Sequence, residues 1–224
     1  MSTTSRGDKG EALVDKELRK LKEKHYLLNN YSLFIKKRNS SVQIDHILIH
    51  PHGVFVIETK NYYGTIIPSS KGDLWYKVIN NEKTIISNPI AQNKSHSYYV
   101  NNLLDKKYDV ISIVVYAKNN APYMDDENII NLSDLLLFIS SFPYKKKLDE
   151  IEMKSIYQKL IKEEKDVSSE EHIKHVKEIK QKKDMQREEM RMAIEEGVCP
   201  KCGAKILVKG YTYKCSKCSY SFKL

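Results

Sequence analysis

Residues 42–60 read VQIDHILIHPHGVFVIETK, and this stretch decides the fold. Two short runs rich in β-branched residues flank the polar, turn-forming sequence HPHG at residues 50–53, which predicts a β-hairpin. If residues 50–53 make the turn, Ile49 pairs with Val54, and the numbers of any two facing residues sum to 103. The turn therefore predicts the register of both strands.

This register brings charged side chains together. Asp45 lies opposite Glu58 and Gln43 lies opposite Lys60, and Glu58 and Lys60 share a face because strand side chains alternate. Two facing carboxylates repel each other unless a cation or a proton lies between them. Oxygen ligands select Mg²⁺ or Mn²⁺, and a nearby lysine adds positive charge for a phosphate or an attacking water. The hairpin predicts a divalent-metal site at Asp45 and Glu58, with neutralisation by Lys60 at an exposed sheet edge as the alternative.

The chain on either side of the hairpin has the pattern of one α/β domain. Apolar residues recur at helical spacing over residues 8–24, Asn88-Pro89 opens a second helix to about Leu104, and Ser133 caps a third to about Ser140. Further strands are predicted at residues 31–35, 75–79, 83–86 and 110–116. Helix, meander, helix and buried strand form an α/β layer pattern, with a mixed sheet flanked by helices.

The composition changes after this domain. Residues 145–196 are rich in Lys, Glu, Gln and Met and contain no Gly or Pro, which predicts one or two long exposed helices. We therefore expect three parts, namely a domain over 1–143, a charged helical spacer over 144–197 and a small module over 198–224. A homodimer through a coiled-coil seam in the spacer is the alternative to a solvated spacer. The residues of that seam do not sustain a heptad: Ile173, Val176, Ile179, Met185, Met190 and Ile194.

The net charge of +9 is unevenly distributed. Residues 1–143 carry +3, residues 144–198 carry 0, and residues 199–224 carry +6. A strongly basic tail without an amphipathic apolar stripe favours nucleic acid over a membrane surface as its partner. No stretch approaches about 18 consecutive apolar residues, and the first ten residues lack the apolar core of a signal peptide. We expect a cytoplasmic protein that does not enter a membrane.

The cysteines predict a zinc site. They form two Cys-x-x-Cys pairs separated by twelve residues: Cys199, Cys202, Cys215 and Cys218. This is the spacing of a tetrahedral Cys₄ site, whereas a pair of disulfides is disfavoured in a cytoplasmic chain. A 26-residue segment cannot bury enough core to fold alone, and structural zinc supplies on the order of 10 kcal/mol to such peptides.

The residues between and after the cysteine pairs predict a DNA-binding surface. Residues 205–213 have the pattern of a hairpin, and aromatic residues lie among lysines, as in surfaces that stack bases and neutralise phosphates. The expected binding residues are Lys205, Lys209, Tyr211, Tyr213, Lys214 and Lys217. A small core built from some of the aromatics is the alternative. The segment resembles the zinc ribbons at the C-terminus of type I topoisomerases, which implies binding to single-stranded DNA.

A second resemblance covers about residues 7–118. It rests on GDKGE at 7–11, QIDH at 43–46, GVFVIETKN at 53–61, and NPIAQ at 88–92, together with Gly64 and Trp75 as structural positions. These motifs resemble the NERD (nuclease-related) domain, a branch of the PD-(D/E)xK nucleases. The resemblance implies a restriction-endonuclease-like fold, Mg²⁺ dependence and DNA as substrate.

The resemblance also implies roles for individual residues. Asp45 and Glu58 match the metal ligands, Lys60 matches the residue that orients or deprotonates water, and Glu11 and Gln92 match accessory residues on two helices. The expected function is a Mg²⁺-dependent DNA nuclease joined to a DNA-binding zinc ribbon. A non-catalytic DNA-binding or scaffold protein that keeps the fold is the alternative. A zinc site formed by His46, His50 and His52 is less favoured than structural roles for them, because His50 and His52 lie in a turn.

Overall fold

The computed structural model describes residues 6–35, 40–68, 74–124, 128–164, 185–186, 188–191, 193–210 and 212–223. The chain divides into two compact units. The first comprises residues 1–66 and 89–167, and the second comprises residues 67–88 and 168–224.

The first unit is a five-stranded mixed sheet with helices on both faces. The strands follow the order β1-β2-β3-β7-β8, in which β3 runs parallel to β7 and β7 runs parallel to β8. Its elements are α1 (Arg6–Leu18), β1 (Tyr26–Ile35), β2 (Ser40–His50), β3 (Gly53–Lys60), α2 (Pro89–Leu103), β7 (Val110–Tyr116), β8 (Ile129–Asn131), α3 (Leu135–Ser141) and α4 (Glu150–Glu163). This mixed sheet flanked by helices agrees with the predicted restriction-endonuclease-like fold.

Two apolar cores lie on opposite faces of the sheet. Helices α1 and α3 cover one face through residues such as Val14 and Leu135, against Phe55 of the central strand. On the other face, Val56 packs in a core that contains Val100 of α2. Because β3 is buried on both faces, it is an almost continuous apolar run that ends in two charged residues, Glu58 and Lys60.

The predicted hairpin register is confirmed over most of its length. Ile49 pairs with Val54 and His46 pairs with Ile57, so that facing numbers sum to 103. The ladder ends there, however, so the predicted pairings of Asp45 with Glu58 and of Gln43 with Lys60 are both absent from it. Gln43 pairs only with Ser32 of β1, and Lys60 pairs with Tyr116 of β7.

The ladder ends because β2 is interrupted at Asp45. The pairing between β1 and β2 omits Asn30 and Asp45, and Asn30 has a left-handed backbone with φ of 53°. Ile44 and Ile47 lie in the same core, so the alternation of faces also breaks between them. The register of β1 and β2 is the same on both sides of the break, and at the break the Asp45 carboxylate accepts a hydrogen bond from the backbone N–H of Thr59 in β3.

Helix α4 differs from the predicted solvated spacer. Its apolar residues Met153, Ile156 and Leu160 are buried in the same core as α2 and the sheet. Tyr31 of β1 also donates a hydrogen bond to the Leu160 carbonyl over 2.8 Å. The expectation of a wholly exposed helix is wrong for this part, because the apolar spacing of an amphipathic helix is hidden by a large excess of charged residues.

The remaining helix starts follow the sequence closely. Helix α2 begins at Pro89 as predicted, whereas α3 is capped by Asp134 rather than by Ser133, without a side-chain hydrogen bond. Ser133 lies one residue earlier in a short 3-10 helix, Leu132–Asp134. Helix α4 begins with a capping box between Asp149 and Glu152.

The second unit contains two small antiparallel structures. One is the hairpin of β5 (Leu74–Ile79) and β6 (Glu82–Ser87), joined at Asn80 and Asn81, which both have positive φ as hairpin turns of this length require. The other is a three-stranded sheet of β9 (Ile206–Lys209), β10 (Thr212–Cys215) and β11 (Ser221–Lys223). Strand β4 (Thr65–Ile67) lies where the two units divide.

Candidate active site and candidate metal centre

The two charged residues at the end of β3 form a buried ion pair. The Nζ atom of Lys60 lies 2.5 Å from Oε1 of Glu58. Only 2% of Glu58 is exposed, although it is a charged residue in the central strand of the sheet. This is not the exposed sheet edge that the alternative interpretation of these residues required. A carboxylate that is buried in the central strand of a sheet is a candidate functional group.

Asp45 reaches the same place from β2. Its Oδ2 atom accepts a hydrogen bond of 2.7 Å from the backbone N–H of Thr59, which lies between Glu58 and Lys60. Burial and the nearby charge of Glu58 raise the pKa of Asp45 to about 7. Burial also raises the pKa of Glu58, and the Lys60 ammonium opposes that rise. Both carboxyl groups therefore hold a proton more readily than exposed carboxyl groups do when no cation is bound.

Helix α1 brings a third carboxyl group, that of Glu11. Gly10 lets the helix lie against the end of β3, because a Cβ atom at Gly10 would be 2.7 Å from Cβ of Asn61. The pKa of Glu11 is raised, mainly by burial and then by the charge of Asp45. Glu11 and Asp45 are therefore close enough to interact electrostatically.

Helix α2 brings Gln92 and a residue that the sequence analysis missed. Oε1 of Gln92 lies 3.4 Å from Nζ of Lys60. One helical turn later, Nδ1 of His96 lies 3.6 Å from Oε2 of Glu58, and His96 is buried. The spacing of four residues between Gln92 and His96 is the signal that could have identified it, since residues four apart share a helix face.

Asn93 is a second residue that the sequence analysis missed. It is completely buried, and its Nδ2 atom lies 2.8 Å from the carbonyl of Val56 and 2.9 Å from that of Ile113. The side chain thus connects α2 to both β3 and β7. These contacts fix the position of α2 and hence of Gln92 and His96.

The protonation of Lys60 limits its chemistry. Burial is the largest single cause and would lower its pKa, but Glu58, Tyr62 and Asp45 together outweigh burial, and the pKa of Lys60 is raised. The side chain is therefore an ammonium group at neutral pH. An ammonium can stabilise negative charge on a phosphate, whereas it cannot accept a proton from water.

The carboxylates fit a hard divalent cation. Oε2 of Glu58 is buried and has no hydrogen-bond donor among the residues that the structure describes. Asp45 and Glu58 supply the oxygen ligands that Mg²⁺ and Mn²⁺ prefer, and a cation there would relieve their repulsion.

The four cysteines come together as a candidate metal centre. Their sulfur atoms all lie within 4.8 Å of one another. The Sγ atoms of Cys199 and Cys218 are 3.6 Å apart, and those of Cys202 and Cys215 are 3.5 Å apart. Four sulfurs bound to one zinc at about 2.3 Å in a tetrahedron would lie about 3.8 Å apart. The thiols fit a single zinc ion, and their separations are too long for disulfides.

Backbone N–H groups support this centre. The N–H groups of Lys217 and Cys218 lie 3.2 and 3.3 Å from the sulfur of Cys215. Burial is the largest single cause and would raise the pKa of Cys215, but these donors and the neighbouring thiols of Cys202 and Cys218 together lower it to about 6. A thiolate is the form that binds a metal, so the turn is suited to metal binding.

The cysteine module places its lysines and aromatics on different faces. The predicted hairpin is confirmed, with Lys214 paired with Leu207 and Tyr213 paired with Val208. Strand alternation puts Lys205, Lys209 and Lys214 on one exposed face. Lys217 is exposed in the second cysteine turn, and Tyr211 lies outside the described residues.

Tyr213 is on the opposite face from these lysines. Its ring stacks on Phe222 at 4.9 Å, and both rings pack against the small core around the cysteines. The alternative of a small aromatic core therefore holds for Tyr213, because so short a segment has few other apolar side chains to bury.

The histidines of the hairpin make structural contacts. His46 is buried and donates through Nδ1 to Asn29 over 2.7 Å, and burial lowers its pKa to about 4. His50 is buried and accepts the backbone N–H of His52 over 3.3 Å, and burial lowers its pKa to about 4 as well. Within the described ranges, only the cysteines form a group of three or more residues that could hold a metal.

Most of the predicted coiled-coil seam, including Ile173, Val176 and Ile179, lies outside the described residues. Nothing in the described part of the chain supports a homodimer. None of the described helices is both long and apolar enough to span a membrane.

Comparison with known proteins gives a family match over the part of the chain that carries the carboxylate site. The nuclease-related domain family, NERD, matches residues 6–117. A Bacillus anthracis protein described as uncharacterized is 33% identical over 143 residues, which cover 61% of this chain and 67% of the relative. No solved structure gives a significant match. The family match takes in half of the chain and includes every residue of the carboxylate site, and the chain therefore belongs to the NERD family.

Proposed function

We propose that this protein is a Mg²⁺-dependent DNA nuclease that hydrolyses phosphodiester bonds. The observation that carries the proposal is the convergence of Asp45, Glu58 and Lys60 at the end of the central strand. Membership of the nuclease-related family supports the same class of activity. A buried Glu58 with a half-buried Asp45 beside it is costly for folding alone, so a chemical role accounts for these carboxylates.

Each residue has a separate role in the proposed reaction. Asp45 and Glu58 would hold Mg²⁺ or Mn²⁺. The bound ion would polarise the phosphate and lower the pKa of water. Lys60 stabilises the negative charge that develops on the phosphate oxygens as the water oxygen forms a bond to phosphorus and the bond to the leaving sugar oxygen breaks.

The neighbouring residues position these groups. Gln92 holds the Lys60 ammonium, and His96 lies against the second oxygen of Glu58. Glu11, whose pKa is raised by burial and by Asp45, is suited to take up the proton of the attacking water, because Lys60 is already protonated.

The cysteine module would add DNA affinity. A structural zinc ion held by the four thiols would order the sheet that presents Lys205, Lys209 and Lys214 to phosphates. We propose that the module is a zinc ribbon of the topoisomerase type over residues 198–224. The nuclease domain predicted over 1–143 also includes α4, which packs in the same core, so we place the linker between α4 and residue 198. A four-thiol zinc site is favoured in a reducing compartment, which supports the cytoplasm as the location.

The closed ion pair between Lys60 and Glu58 favours one alternative. A carboxylate that is already neutralised by lysine at 2.5 Å has less need of a metal. A non-catalytic DNA-binding or scaffold protein with the nuclease fold would keep such a pair for stability.

A cleavage assay separates the two functions. Purified zinc-loaded protein is incubated with linear, circular and single-stranded DNA over a Mg²⁺ titration, beside Glu58→Gln and Asp45→Asn. A nuclease cuts only with Mg²⁺, and each variant loses at least about 100-fold in rate while still binding DNA. Binding without cutting at any Mg²⁺ or Mn²⁺ concentration would establish the scaffold function. Equal cutting by both variants would show that a different site or a contaminant is responsible.

A further inference from the structure

An open cleft of about 780 Å³ lies beside the proposed catalytic residues. One wall is a single face of α1, which presents Lys9, Ala12, Leu13 and Lys16 at the helical spacing of three and four residues. The opposite wall consists of Asn61, Tyr63 and Lys118, which follow β3 and β7. Its volume falls in the range of about 300–1,000 Å³ that is usual for ligand sites.

The cleft is continuous with the site along the chain. Asn61, in one wall, directly follows Lys60, and it is the residue against which Gly10 of α1 is packed. Glu11 then lies between Gly10 and Ala12 of the other wall. A molecule in the cleft would therefore enter between the same two elements that carry Glu11 and Lys60.

The charged residues that line the cleft are all lysines. Lys9, Lys16 and Lys118 make no ion pair with any carboxylate in the described part of the chain. By contrast, Lys20 and Lys24 nearby each pair with a glutamate at 2.7 and 2.5 Å. Three unpaired ammonium groups around one cleft attract a polyanion.

The cleft also contains exposed apolar surface. Half of Tyr63 is exposed, and the ammonium of Lys118 lies 4.8 Å from the centre of its ring. Leu13, on the opposite wall, is 41% exposed. An exposed aromatic ring beside a lysine is an arrangement that stacks a nucleobase and binds its phosphate at once.

We infer that this cleft binds an unpaired nucleotide of the DNA substrate, so that the enzyme acts on single strands or on strands with a single-stranded end or flap. The inference rests on the proposed nuclease function and specifies its substrate. Stacking requires an open base face, which a fully paired duplex covers with neighbouring bases. The lysines would hold the backbone phosphates of the same strand, leading it toward Lys60.

The first test measures binding without cleavage. Full-length zinc-loaded protein is titrated, in buffer free of Mg²⁺ and of chelators, with a fluorescent oligothymidine and with a blunt duplex of equal length. Tyr63→Ala should weaken single-strand binding about 5- to 100-fold, the range for one lost base stack, and duplex binding less than twofold. Tyr144→Ala is the matched control, since Tyr144 is 45% exposed but lies against His52 on the hairpin turn.

The lysines are tested through salt dependence. The triple substitution Lys9→Ala, Lys16→Ala and Lys118→Ala should flatten the slope of log affinity against log salt by about 2 on the single strand, at about 0.7 for each phosphate contact. A control triple substitution removes the same charge from exposed lysines elsewhere in the first unit: Lys147, Lys154 and Lys162. Equal slopes for both triple variants, or equal losses of Tyr63→Ala on both probes, would overturn the inference.

A local readout excludes the cysteine module as the source of the effect. Single strands that carry 5-iodouracil are irradiated with the full-length protein, and the cross-linked peptide is identified by mass spectrometry. A cross-link at Tyr63 is expected with the single strand and not with the blunt duplex. Recovery of cross-links only from residues 198–224 would contradict the inference.

The inference and the proposed function fail in different ways. If the cleft binds single strands as described but no DNA is cut with Mg²⁺, only the nuclease function is wrong. If DNA is cut and Glu58→Gln abolishes cutting while Tyr63→Ala leaves KM for single strands unchanged, only the inference is wrong. When both hold, Tyr63→Ala raises KM for single-stranded DNA about 5- to 100-fold with little change in kcat.

Discussion

The two candidate metal sites of this chain are built in opposite ways. The carboxylate site lies in a sheet that is covered by helices on both faces, and its residues come from β2, β3, α1 and α2. The cysteine site lies in a short segment whose buried core consists of Ile206 and two of the cysteines themselves, together with Ala193 from just before the segment. The first site is held in place by the fold, whereas the second has little fold without its ligands.

This difference separates two uses of a metal. In the first unit the apolar cores stabilise the fold, and the carboxylates oppose it because burial raises the pKa of both Asp45 and Glu58. A cation there relieves a cost and supplies chemistry. In the cysteine module a metal would replace the missing core. Removing zinc should therefore unfold the cysteine module. Removing Mg²⁺ should leave the first unit folded.

The largest expected effect is the loss of structure in the cysteine module. Replacing Cys202 and Cys215 by Ser should unfold residues 198–223, because structural zinc supplies on the order of 10 kcal/mol to such segments. Hydrogen exchange measured by mass spectrometry should show full exchange there and unchanged protection in β3 and β7. Lost protection in both regions would mean that the two do not fold independently.

The same variant should weaken DNA binding without abolishing cutting. The slope of log affinity against log salt should fall by about 2.5 to 5, if three to six lysines of the module contact phosphates. A truncation after Glu196 should match the double-cysteine variant. Identical slopes for full-length and truncated protein would make the module a protein-interaction element.

The next effect concerns catalysis alone. Lys60→Met removes the ammonium and keeps an unbranched side chain, so cleavage should fall about 100- to 1,000-fold, as expected when a group that stabilises transition-state charge is lost. Lys60→Arg, which keeps the charge with a different geometry, should lose less. Rates are measured at saturating Mg²⁺, with circular dichroism to confirm folding. Equal rates for Lys60→Met and the unmodified protein would exclude the proposed role.

The pH dependence of cleavage should follow from Asp45. Its pKa of about 7 means that a proton competes with the metal for the carboxylate at and below neutral pH. Cleavage at limiting Mg²⁺ should fall about tenfold for each pH unit below 7 and level off above pH 8. Raising the Mg²⁺ concentration should move the midpoint to lower pH. A midpoint that does not respond to Mg²⁺ would assign it to another group.

The parts of the site that follow from local rules were predicted from the sequence. The parts whose positions depend on tertiary contacts were missed. The turn at 50–53 was sufficient to predict the register from Ile49 to Ile57, because a hairpin register depends on its turn. The break at Asp45 was not predictable, since it depends on a left-handed Asn30 in a strand that pairs from the other side. Sequence alternation alone would continue the ladder to Gln43.

The contributions of the helices show the same limit. Gln92 was matched by a motif, whereas only the helical spacing from Gln92 pointed to His96 and nothing pointed to Asn93, because their roles depend on how α2 lies across β3 and β7. The burial of α4 was hidden in the same way, because its three buried apolar residues are separated by charged ones. Local patterns predict elements, whereas the contacts between elements depend on packing that no window of sequence contains.

The smallest expected effect tests whether the carboxylate site really opposes folding. Asp45 has a pKa of about 7 in the folded protein and about 3.9 when unfolded, so the folded state binds the proton more tightly. The stability that this proton binding supplies is complete below pH 4 and is lost as the pH rises through 7.

Asp45→Asn cannot titrate and can still accept the Thr59 N–H, so it should stabilise the metal-free site by about 1–3 kcal/mol at pH 8 and by little at pH 4. Calorimetry with zinc-loaded protein should show this as a rise in Tm of about 2–10 °C at pH 8. Asp109→Asn, at an exposed position, is the control and should change Tm at neither pH. Adding Mg²⁺ should raise the Tm of the unmodified protein and reduce the advantage of the variant, because the ion would neutralise the ionised Asp45 carboxylate. A variant that is less stable than the unmodified protein at pH 8 would show that Asp45 supports the fold, and the contrast between the two metal sites would fail.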